Sequence, residues 1–480
     1  MAWCPKCKNE YREGITVCPD CGETLVSEEE LTDWTSVLFG EQDEMEKLKD
    51  FLTYNGIRKS KLSFDEAEQV YELFVDAKEE KQAKTIARVF LEQQEKERTE
   101  NAAEEEAAGG LPLRYPDNDY GRLTKGAALG LKAKVLLYAA SPLFNENPIA
   151  GTTEIQRYAS PDDRRWERAA KAALDVINLR MPNGAPAYEL FPSYERLFFT
   201  REGNHEFLIA RMQGMTNNVE KRNGPAGYSG ATGNTSLTQE FIDMFELKNG
   251  KLPKEDPEYD PQKPWENRCE RFKASVLYNG SYWWDREVET FVGGKDYTAL
   301  NSTAKGCITG YTLRKHLDPE VRISGVEKNT FHDFPLLRYA EILLTYAEAA
   351  NEYYGTSDDD IVDDAMIYTC VNQVRNRAGL PPVADKTKKE MREIIHRERT
   401  VELAFENVRY FDLRRWREAE IVLNRPVHGV QITKDESTGE FIYSAPIEVE
   451  DRVFPERCYY YPIPQSELNK NAALTPNPGW

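Results

Sequence analysis

Four cysteines near the N-terminus have the spacing of metal ligands. They follow the pattern C-x2-C-x10-C-x2-C and are Cys4, Cys7, Cys18 and Cys21. Each CxxC pair can point two thiolates at one tetrahedral ion, whereas the alternatives are a pair of disulfides or a redox CxxC. Two such pairs so close together favour zinc, and four thiolates leave no open coordination position for a substrate. We therefore expect a structural zinc site.

Aromatic and polar residues are interleaved in the middle of the chain. The candidate sugar-binding residues are Tyr278, Asn279, Tyr282, Trp283, Trp284 and Tyr297. The C–H faces of sugars stack on flat aromatic rings, and sugar hydroxyls need polar partners nearby. The alternative is that the two tryptophans fill a core. If the segment is a strand, Trp283 and Trp284 point to opposite faces and one of them is buried.

Carboxylates between residues 398 and 416 resemble catalytic groups but have a simpler interpretation. They alternate with arginines at helical spacing, as Glu402, Glu406 and Asp412 with Arg399, Arg409 and Arg415. Such alternation is typical of structural ion pairs. The five histidines of the chain are scattered, and it contains no GxSxG, phosphate-loop or GxGxxG motif. The sequence thus predicts a protein that is not an enzyme.

The elements that must position these residues are mainly helices. Hydrophobic periodicity predicts five of them in the body, at Leu123 to Ala140, Asp162 to Arg180, Leu336 to Tyr354, Asp359 to Ala378 and Thr387 to Arg417. The last helix begins with a capping box formed by Thr387 and Glu390. Residues 181 to 335 are rich in Gly, Pro, Asn and aromatic residues, so we expect loops and short strands there.

The first hundred residues have a different character. Strands are predicted at Trp34 to Phe39 and Gln69 to Val75, and helices at Glu44 to Asn55 and Lys78 to Gln94. This order predicts a small α+β unit. The charged stretch Glu95 to Gly110 reads as a tail or linker. The expected domains are a zinc ribbon at 1–27, the α+β unit at 32–94, an acidic linker or fusion junction at 95–112, and a body at 113–480.

Composition narrows the class of protein. The 480 residues carry a formal net charge of −20, of which residues 1 to 108 contribute −13. An acidic surface repels phosphate backbones, which argues against nucleic acid as a partner. The sequence contains no apolar run of roughly 18 residues, so a membrane-spanning helix is not expected.

Six segments of the body, in order, resemble the SusD/RagB family. They are RLTKGAALGLKAKVLLYAASPLFN, TQEFIDMFELKNGKLP, FPLLRYAEILLTYAEAANE, VNQVRNRAGLPPV, ERTVELAFENVRYFDLRRW and the closing YPIPQSELNKN...NPGW. The resemblance implies a mainly α fold, with a degenerate tetratricopeptide-like helical scaffold and an irregular, loop-rich lobe. It also implies an outer-membrane lipoprotein that binds oligosaccharide or polysaccharide and delivers it to a TonB-dependent transporter of the SusC type.

The head resembles short bacterial proteins that join a zinc ribbon to a ferredoxin-like module. Family members begin with a signal peptide, a lipidated cysteine and a first helical section, which this sequence does not show, so the body reads as N-terminally truncated and the chain as cytoplasmic. Zinc-bound thiolates are typical of a reducing compartment, whereas the body resembles an exported protein. We therefore hypothesise a chimera joined between about Glu104 and Leu113. The alternative function is a cytoplasmic zinc-ribbon regulatory or interaction protein with a helical-repeat scaffold.

Overall fold

The protein is described by a computed structural model at residues 2–7, 10–11, 16–27, 32–116, 119–299, 302, 306–355 and 357–480. Within the predicted ribbon, residues 8–9 and 12–15 lie outside this description, as do residues 28–31 after it. The chain forms two compact units, Met1–Gly109 and Gly110–Trp480. Across the described ranges, no helix is both long and apolar enough to span a membrane.

The first unit contains two small antiparallel sheets. Strands β1 (Ala2–Trp3), β2 (Glu10–Tyr11) and β3 (Val26–Ser27) form one sheet in the order β2-β1-β3. Strands β4 (Trp34–Gly40), β5 (Ser60–Asp65) and β6 (Val70–Asp76) form the other in the order β4-β6-β5, with helices α1 (Gln42–Tyr54) and α2 (Glu80–Gly109). Apolar side chains of these helices and of β6, among them Met45, Leu48, Leu73 and Phe90, make its core.

Sequence reasoning located four of these elements and misread two segments. The two predicted strands and two predicted helices are confirmed. Strand β5 was not predicted, because only two of its six residues, Leu62 and Phe64, are apolar. The stretch from Glu95 to Gly110, expected to be a tail or linker, is helical, since α2 continues to Gly109, where the first unit ends. Glu and Ala are strong helix formers, so a stretch too polar for a core can still extend a helix.

The second unit has eleven helices and twelve strands among its described residues. The helices are α3 (Lys125–Ala140), α4 (Arg164–Ile177), α5 (Asn218–Asn223), α6 (Gln239–Asp243), α7 (Glu270–Ser275), α8 (Tyr339–Tyr354), α9 (Ala365–Arg377), α10 (Lys388–Glu402), α11 (Arg409–Arg415), α12 (Ala419–Val422) and α13 (Gln465–Lys470). The strands are β7 (Phe207–Arg211), β8 (Met215–Thr216), β9 (Val276–Tyr278), β10 (Tyr282–Trp283), β11 (Arg286–Glu287), β12 (Tyr311–Leu313), β13 (Thr330–Phe331), β14 (Phe334–Arg338), β15 (Val427–Gly429), β16 (Ile432–Lys434), β17 (Phe441–Tyr443) and β18 (Ile447–Glu450). These strands pair two by two and antiparallel.

The long helices α3, α4, α8, α9 and α10 share the largest apolar core. Small residues bring the helices close together: a Cβ built at Gly130 of α3 would lie only 3.3 Å from Ile342 Cδ1 of α8. The predicted capping box at the start of α10 is confirmed, with Thr387 and Glu390 each bonded to the backbone of the other. Between α4 and α8, the short strands and helices form the loop-rich lobe that the sequence predicts.

The predicted continuous helix from Thr387 to Arg417 is wrong. Helix α10 ends at Glu402, and α11 begins at Arg409 after a turn in which Phe405 and Asn407 both have a φ of 62°. The turn folds the chain back, because Arg399 Nε lies 2.9 Å from Asp412 Oδ2. In one straight helix these residues would be separated by about 20 Å along the axis, at a rise of about 1.5 Å per residue.

The charged residues of this segment form ion pairs as predicted, but inside the protein. Arg338 contacts three carboxylates, with shortest distances of 2.6 Å to Glu206, 2.7 Å to Glu402 and 2.7 Å to Glu406. All four side chains are at most 4% exposed. A buried charge is tolerated only when it is paired and hydrogen-bonded. The network therefore joins the lobe, through Glu206, to the segment after α10.

Candidate binding site and candidate metal centre

A tight hairpin carries the centre of the aromatic cluster. Strand β10 pairs with β11, so that Tyr282 faces Glu287 and Trp283 faces Arg286. Trp284 and Asp285 form the two-residue loop, and Trp284 has a φ of 52°. A positive φ at the first loop residue alone matches the type II′ turn, whose twist suits a right-handed hairpin. The hairpin thus places a tryptophan at its tip, where glycine is usual.

Buried polar contacts hold the hairpin in place. The guanidinium of Arg286 donates to both oxygens of Asp296, at 2.6 and 3.0 Å, and Asp296 is 1% exposed. The hydroxyl of Tyr228 lies 2.9 Å from the carbonyl oxygen of Trp283 and 3.0 Å from that of Arg286. Burial raises the pKa of Tyr228, so this hydroxyl keeps its proton. The hairpin is therefore rigidly positioned.

The three aromatic residues of the hairpin differ in access to solvent. Tyr282 is 66% exposed, whereas Trp283 is 1% exposed and packs in a small core with Leu277 and Val288. Trp284 is half-buried and meets the ring of Tyr228 edge-on at 5.5 Å. The assignment of Trp283 as a surface ligand is thus corrected: alternation along β10 turns its ring inward. Tyr282 stays open to solvent, and Trp284 is accessible only in part, because its ring also packs against that small core.

The remaining predicted residues lie around the hairpin. Tyr278 is half-buried and stacks on Trp265, with ring centroids 5.2 Å apart and an angle of 6° between the planes. Asn279 is 2% exposed, and its side-chain oxygen accepts from the backbone N–H of Thr290 at 3.1 Å. The expectation that Asn279 binds sugar directly is therefore also corrected, because its side-chain oxygen is bonded to the backbone of the loop. Tyr297 is half-buried beside Asp296.

Two neighbours of the cluster were missed by sequence reasoning. Trp265 lies in a proline-containing loop, and Tyr228 in a glycine-rich segment, both far along the chain from the hairpin. Neither position shows a periodicity that would connect it with Tyr278 or Trp284. Only the fold brings the rings together, so proximity in sequence was not a usable signal.

The hairpin is connected to the helical scaffold through Arg271. This residue lies in α7, which leads directly into β9 and then the hairpin. Its Nη1 lies 2.8 Å from Glu398 and 3.1 Å from Glu402, both on α10. All three side chains are at most 3% exposed. A buried triad of this kind fixes the position of one element against another.

The four N-terminal cysteines converge in the first unit. Their sulfur atoms all lie within 4.8 Å of one another, with 3.4 Å between Cys4 and Cys21 and 3.9 Å between Cys7 and Cys18. A tetrahedral zinc ion with Zn–S bonds of about 2.3 Å would hold sulfurs about 3.8 Å apart. The backbone N–H of Cys7 points at the sulfur of Cys4 at 3.3 Å, which stabilises a thiolate. The cluster fits a four-thiolate metal centre.

Comparison with known proteins identifies the larger part of the chain. The profile of the SusD family matches residues 202–480, more than half of the sequence and including the hairpin. The chain belongs to the SusD family. This confirms the resemblance of the body, while the head lies outside the matched residues.

Individual SusD relatives match parts of the chain. SusD-like protein P2 from Formosa agariphila is 31% identical over 180 residues, which cover 35% of this chain and 30% of that protein. The chain thus aligns with less than a third of the length of this curated relative. A SusD-like protein from Bacteroides fragilis has a crystal structure with 26% identity and a TM-score of 0.60, covering 78% of this chain and 69% of that one.

A second solved structure supports the fold. It is a SusD-like carbohydrate-binding protein from Bacteroides fragilis, 23% identical, with a TM-score of 0.59 over 90% of this chain and 78% of that one. The helical scaffold with a loop-rich lobe is therefore the SusD fold, as the sequence predicts.

Proposed function

We propose that this SusD-family protein is the glycan-binding component of an outer-membrane nutrient uptake system. In this role it binds oligosaccharide or polysaccharide and delivers it, without chemical change, to a TonB-dependent transporter of the SusC type. Family membership supports the proposal, as does the fold shared with a relative described as a carbohydrate-binding protein. The outer membrane is the corresponding location.

The observation that carries the proposal is the rigid hairpin with its accessible rings. Tyr282 is exposed at the hairpin, and Trp284 at its tip is half-buried. Flat rings held in fixed orientations can stack on the C–H faces of a pyranose without losing much side-chain entropy. Exposed Asp285 follows Trp284 in the chain, and exposed Glu287 pairs with Tyr282 across the hairpin, so both can supply partners for sugar hydroxyls.

A glycan-binding screen with matched variants tests this proposal. Full-length protein is screened against an oligosaccharide array and titrated with the best ligand. Tyr282→Ala and Trp284→Ala should each weaken binding by about tenfold or more, since a stacked ring contributes roughly 0.5–1.5 kcal/mol beyond its buried area. Tyr354→Ala removes an equally exposed ring at the end of α8 and should leave affinity unchanged. Unaltered binding in both hairpin variants would rule out this site.

We further propose that the head is a zinc ribbon joined to a ferredoxin-like module. The convergent sulfurs support the ribbon, and the order β4-α1-β5-β6-α2, with β6 central in its sheet, supports the module. Bound zinc would be structural, with all four positions taken by protein. Metal analysis of reduced protein should give one zinc per chain, lost in Cys18→Ser but kept in Cys458→Ser. A metal-free wild type, or disulfides found by mass spectrometry, would contradict it.

The cysteine cluster also favours a second function, a cytoplasmic regulatory or interaction protein with a helical-repeat scaffold. Zinc-binding thiolates are typical of a reducing compartment. Fractionation of cells that express the native gene separates the two functions, because only the uptake protein would be found with the outer membrane. The chimera hypothesis has its own test: an uninterrupted sequencing read across codons 104 to 113 of source DNA distinguishes a real fusion from an assembly artefact.

A further inference from the structure

A small cleft lies apart from the hairpin, between the loop before α3 and the segment around β7. Its lining includes Arg114, Tyr115, Tyr120, Tyr188, Arg201 and His205. Its volume is about 80 Å³. One water needs roughly 10–15 Å³ of such volume, whereas whole ligands use pockets of about 300–1,000 Å³. The cleft therefore suits one polar substituent of a ligand rather than a complete sugar ring.

Charge distinguishes this cleft from the acidic protein around it. None of the described residues that line it is Asp or Glu, although the chain has a net charge of −20. Arg201 is already neutralised, because it donates to both oxygens of Asp333 at 2.5 and 2.7 Å. His205 lies 3.5 Å from Glu189. Arg201 is therefore not free to bind an anion, and His205 already faces a carboxylate.

Arg114 is an exposed arginine of the cleft lining that makes no ion pair with another described residue. Its Nη2 donates to the carbonyl oxygen of Ala187 at 3.0 Å, and no carboxylate of the described residues lies within ion-pair distance. A guanidinium has five N–H donors, so most of its donor capacity stays available. Nearby Arg122 also lines the cleft, and its pair with Asp119, at 3.3 Å, is exposed on both sides. Exposed pairs are weak and can yield to another anion.

Aromatic walls complete the cleft. The hydroxyl of Tyr188 is fixed by Thr124 at 2.6 Å, and Arg122 lies 4.9 Å from the centroid of the Tyr115 ring. The hydroxyl of Tyr120 is buried and has no hydrogen-bond partner among the described residues. A planar carboxylate matches such a site, because an arginine fork can bind both of its oxygens while rings cover its faces.

We propose that this cleft binds the carboxylate of an acidic sugar, with Arg114 as its charge partner. The inference rests on the proposed glycan-binding function and adds the substrate class, a uronic-acid-containing saccharide. It also places a second contact point on the lobe, distinct from the stacking hairpin. A neutral saccharide would offer the guanidinium of Arg114 no negative charge.

Titration calorimetry on the full chain tests the proposal with three probes: galacturonate, galactose and acetate. Galacturonate should bind wild type at least about tenfold more tightly than galactose or acetate. Arg114→Gln should remove that preference, and Arg114→Lys should recover part of it, since lysine keeps the charge but loses the fork. Arg425→Gln, an exposed arginine elsewhere, is the control and should bind like wild type.

The outcomes separate this inference from the proposed function. The proposal that the cleft binds acidic sugars is overturned if Arg114→Gln keeps the wild-type affinity for galacturonate. It is also overturned if wild type binds galacturonate and acetate with equal affinity. If Arg114→Gln does not fold, wild-type affinity in Arg114→Lys overturns it instead. Both sites are supported if Tyr282→Ala loses glycan binding while Arg114→Gln alone loses the preference for galacturonate over galactose. Binding that depends on Tyr282 alone retains the hairpin and rejects the cleft.

Discussion

Tyr282 and Trp283 are adjacent in the chain yet have different roles. Side chains of a strand alternate between its faces, so one ring is 66% exposed and the other 1% exposed. The buried ring contributes to stability, and the exposed ring is available to a ligand. Charged residues of the hairpin region differ in the same way: Asp285 is exposed to solvent, whereas Asp296 is buried in an ion pair with Arg286.

The first prediction contrasts these two rings. Trp283→Ala should lower the free energy of unfolding by about 3–5 kcal/mol, because it removes a large side chain from a packed core. Tyr282→Ala should change it by less than about 0.5 kcal/mol, as exposed positions do. Chemical denaturation followed by circular dichroism measures both. Equal destabilisation by the two changes would mean that the hairpin does not turn Trp283 inward.

The second prediction concerns Asp412 and acid. Burial would raise its pKa, but the guanidinium groups of Arg399 and Arg415 outweigh burial and lower it to about 2, from an ordinary value of 3.8. A depressed carboxyl pKa contributes stability above pH 4, and that contribution is lost as the pH falls through 2. The unfolding free energy should therefore decrease between pH 4 and pH 2.

Substitution of Asp412 isolates its share of the acid response. Asp412→Asn should cost about 3–5 kcal/mol at pH 7, because two buried arginines lose a partner, and should flatten the dependence between pH 4 and pH 2. Asp451→Asn, at an exposed position, is the control and should retain the wild-type profile. An unchanged slope in Asp412→Asn would show that other carboxyls cause the acid loss.

At the scale of elements, the turn between α10 and α11 decides how charges meet. It brings Asp412 back to Arg399, and it leaves Glu402 and Glu406 on Arg338. Glu402 also reaches Arg271, in the helix that leads to the hairpin of β10 and β11. The segment whose sequence resembles one long amphipathic helix thus folds back on itself, and its charged residues connect the helical scaffold to the lobe.

The third prediction tests the conformation of this turn. Asn407 is exposed with a φ of 62°, a region that glycine adopts freely and β-branched residues avoid. Asn407→Gly should raise stability by up to about 1 kcal/mol, whereas Asn407→Val should lower it by about 1–2 kcal/mol. Asn178→Val, at an exposed position with a φ of −85°, is the matched control. An equal loss of stability in both valine variants would contradict a left-handed backbone conformation at Asn407.

At the scale of the whole molecule, the two units have separate cores. The core of the first unit uses residues 45 to 90, and the clusters of the second use residues 133 to 459. The cysteine centre belongs to the first unit. Each unit therefore has its own source of stability, and the proposed metal stabilises one of them.

The fourth prediction is that metal removal affects the first unit alone. Chelation under reducing conditions should increase amide hydrogen exchange in peptides from residues 2–27, because four thiolates without an ion repel one another or protonate. Exchange in residues 125–177 and 339–402 should not change. Adding zinc should restore protection. Increased exchange throughout the second unit after chelation would show that the two units unfold together.

The sequence alone determined the elements whose signal is local. Periodicity located the scaffold helices, spacing identified the cysteine cluster and the capping box at Thr387, and ordered motifs identified the family. These properties follow from residues a few positions apart. Tertiary structure decided the rest: the turn after Glu402, the burial of Trp283 and Asn279, the stacking of Trp265 on Tyr278, and the cleft that Arg114 lines. Such features depend on contacts between residues that are far apart in the chain, and a local sequence pattern does not show which of these residues will meet.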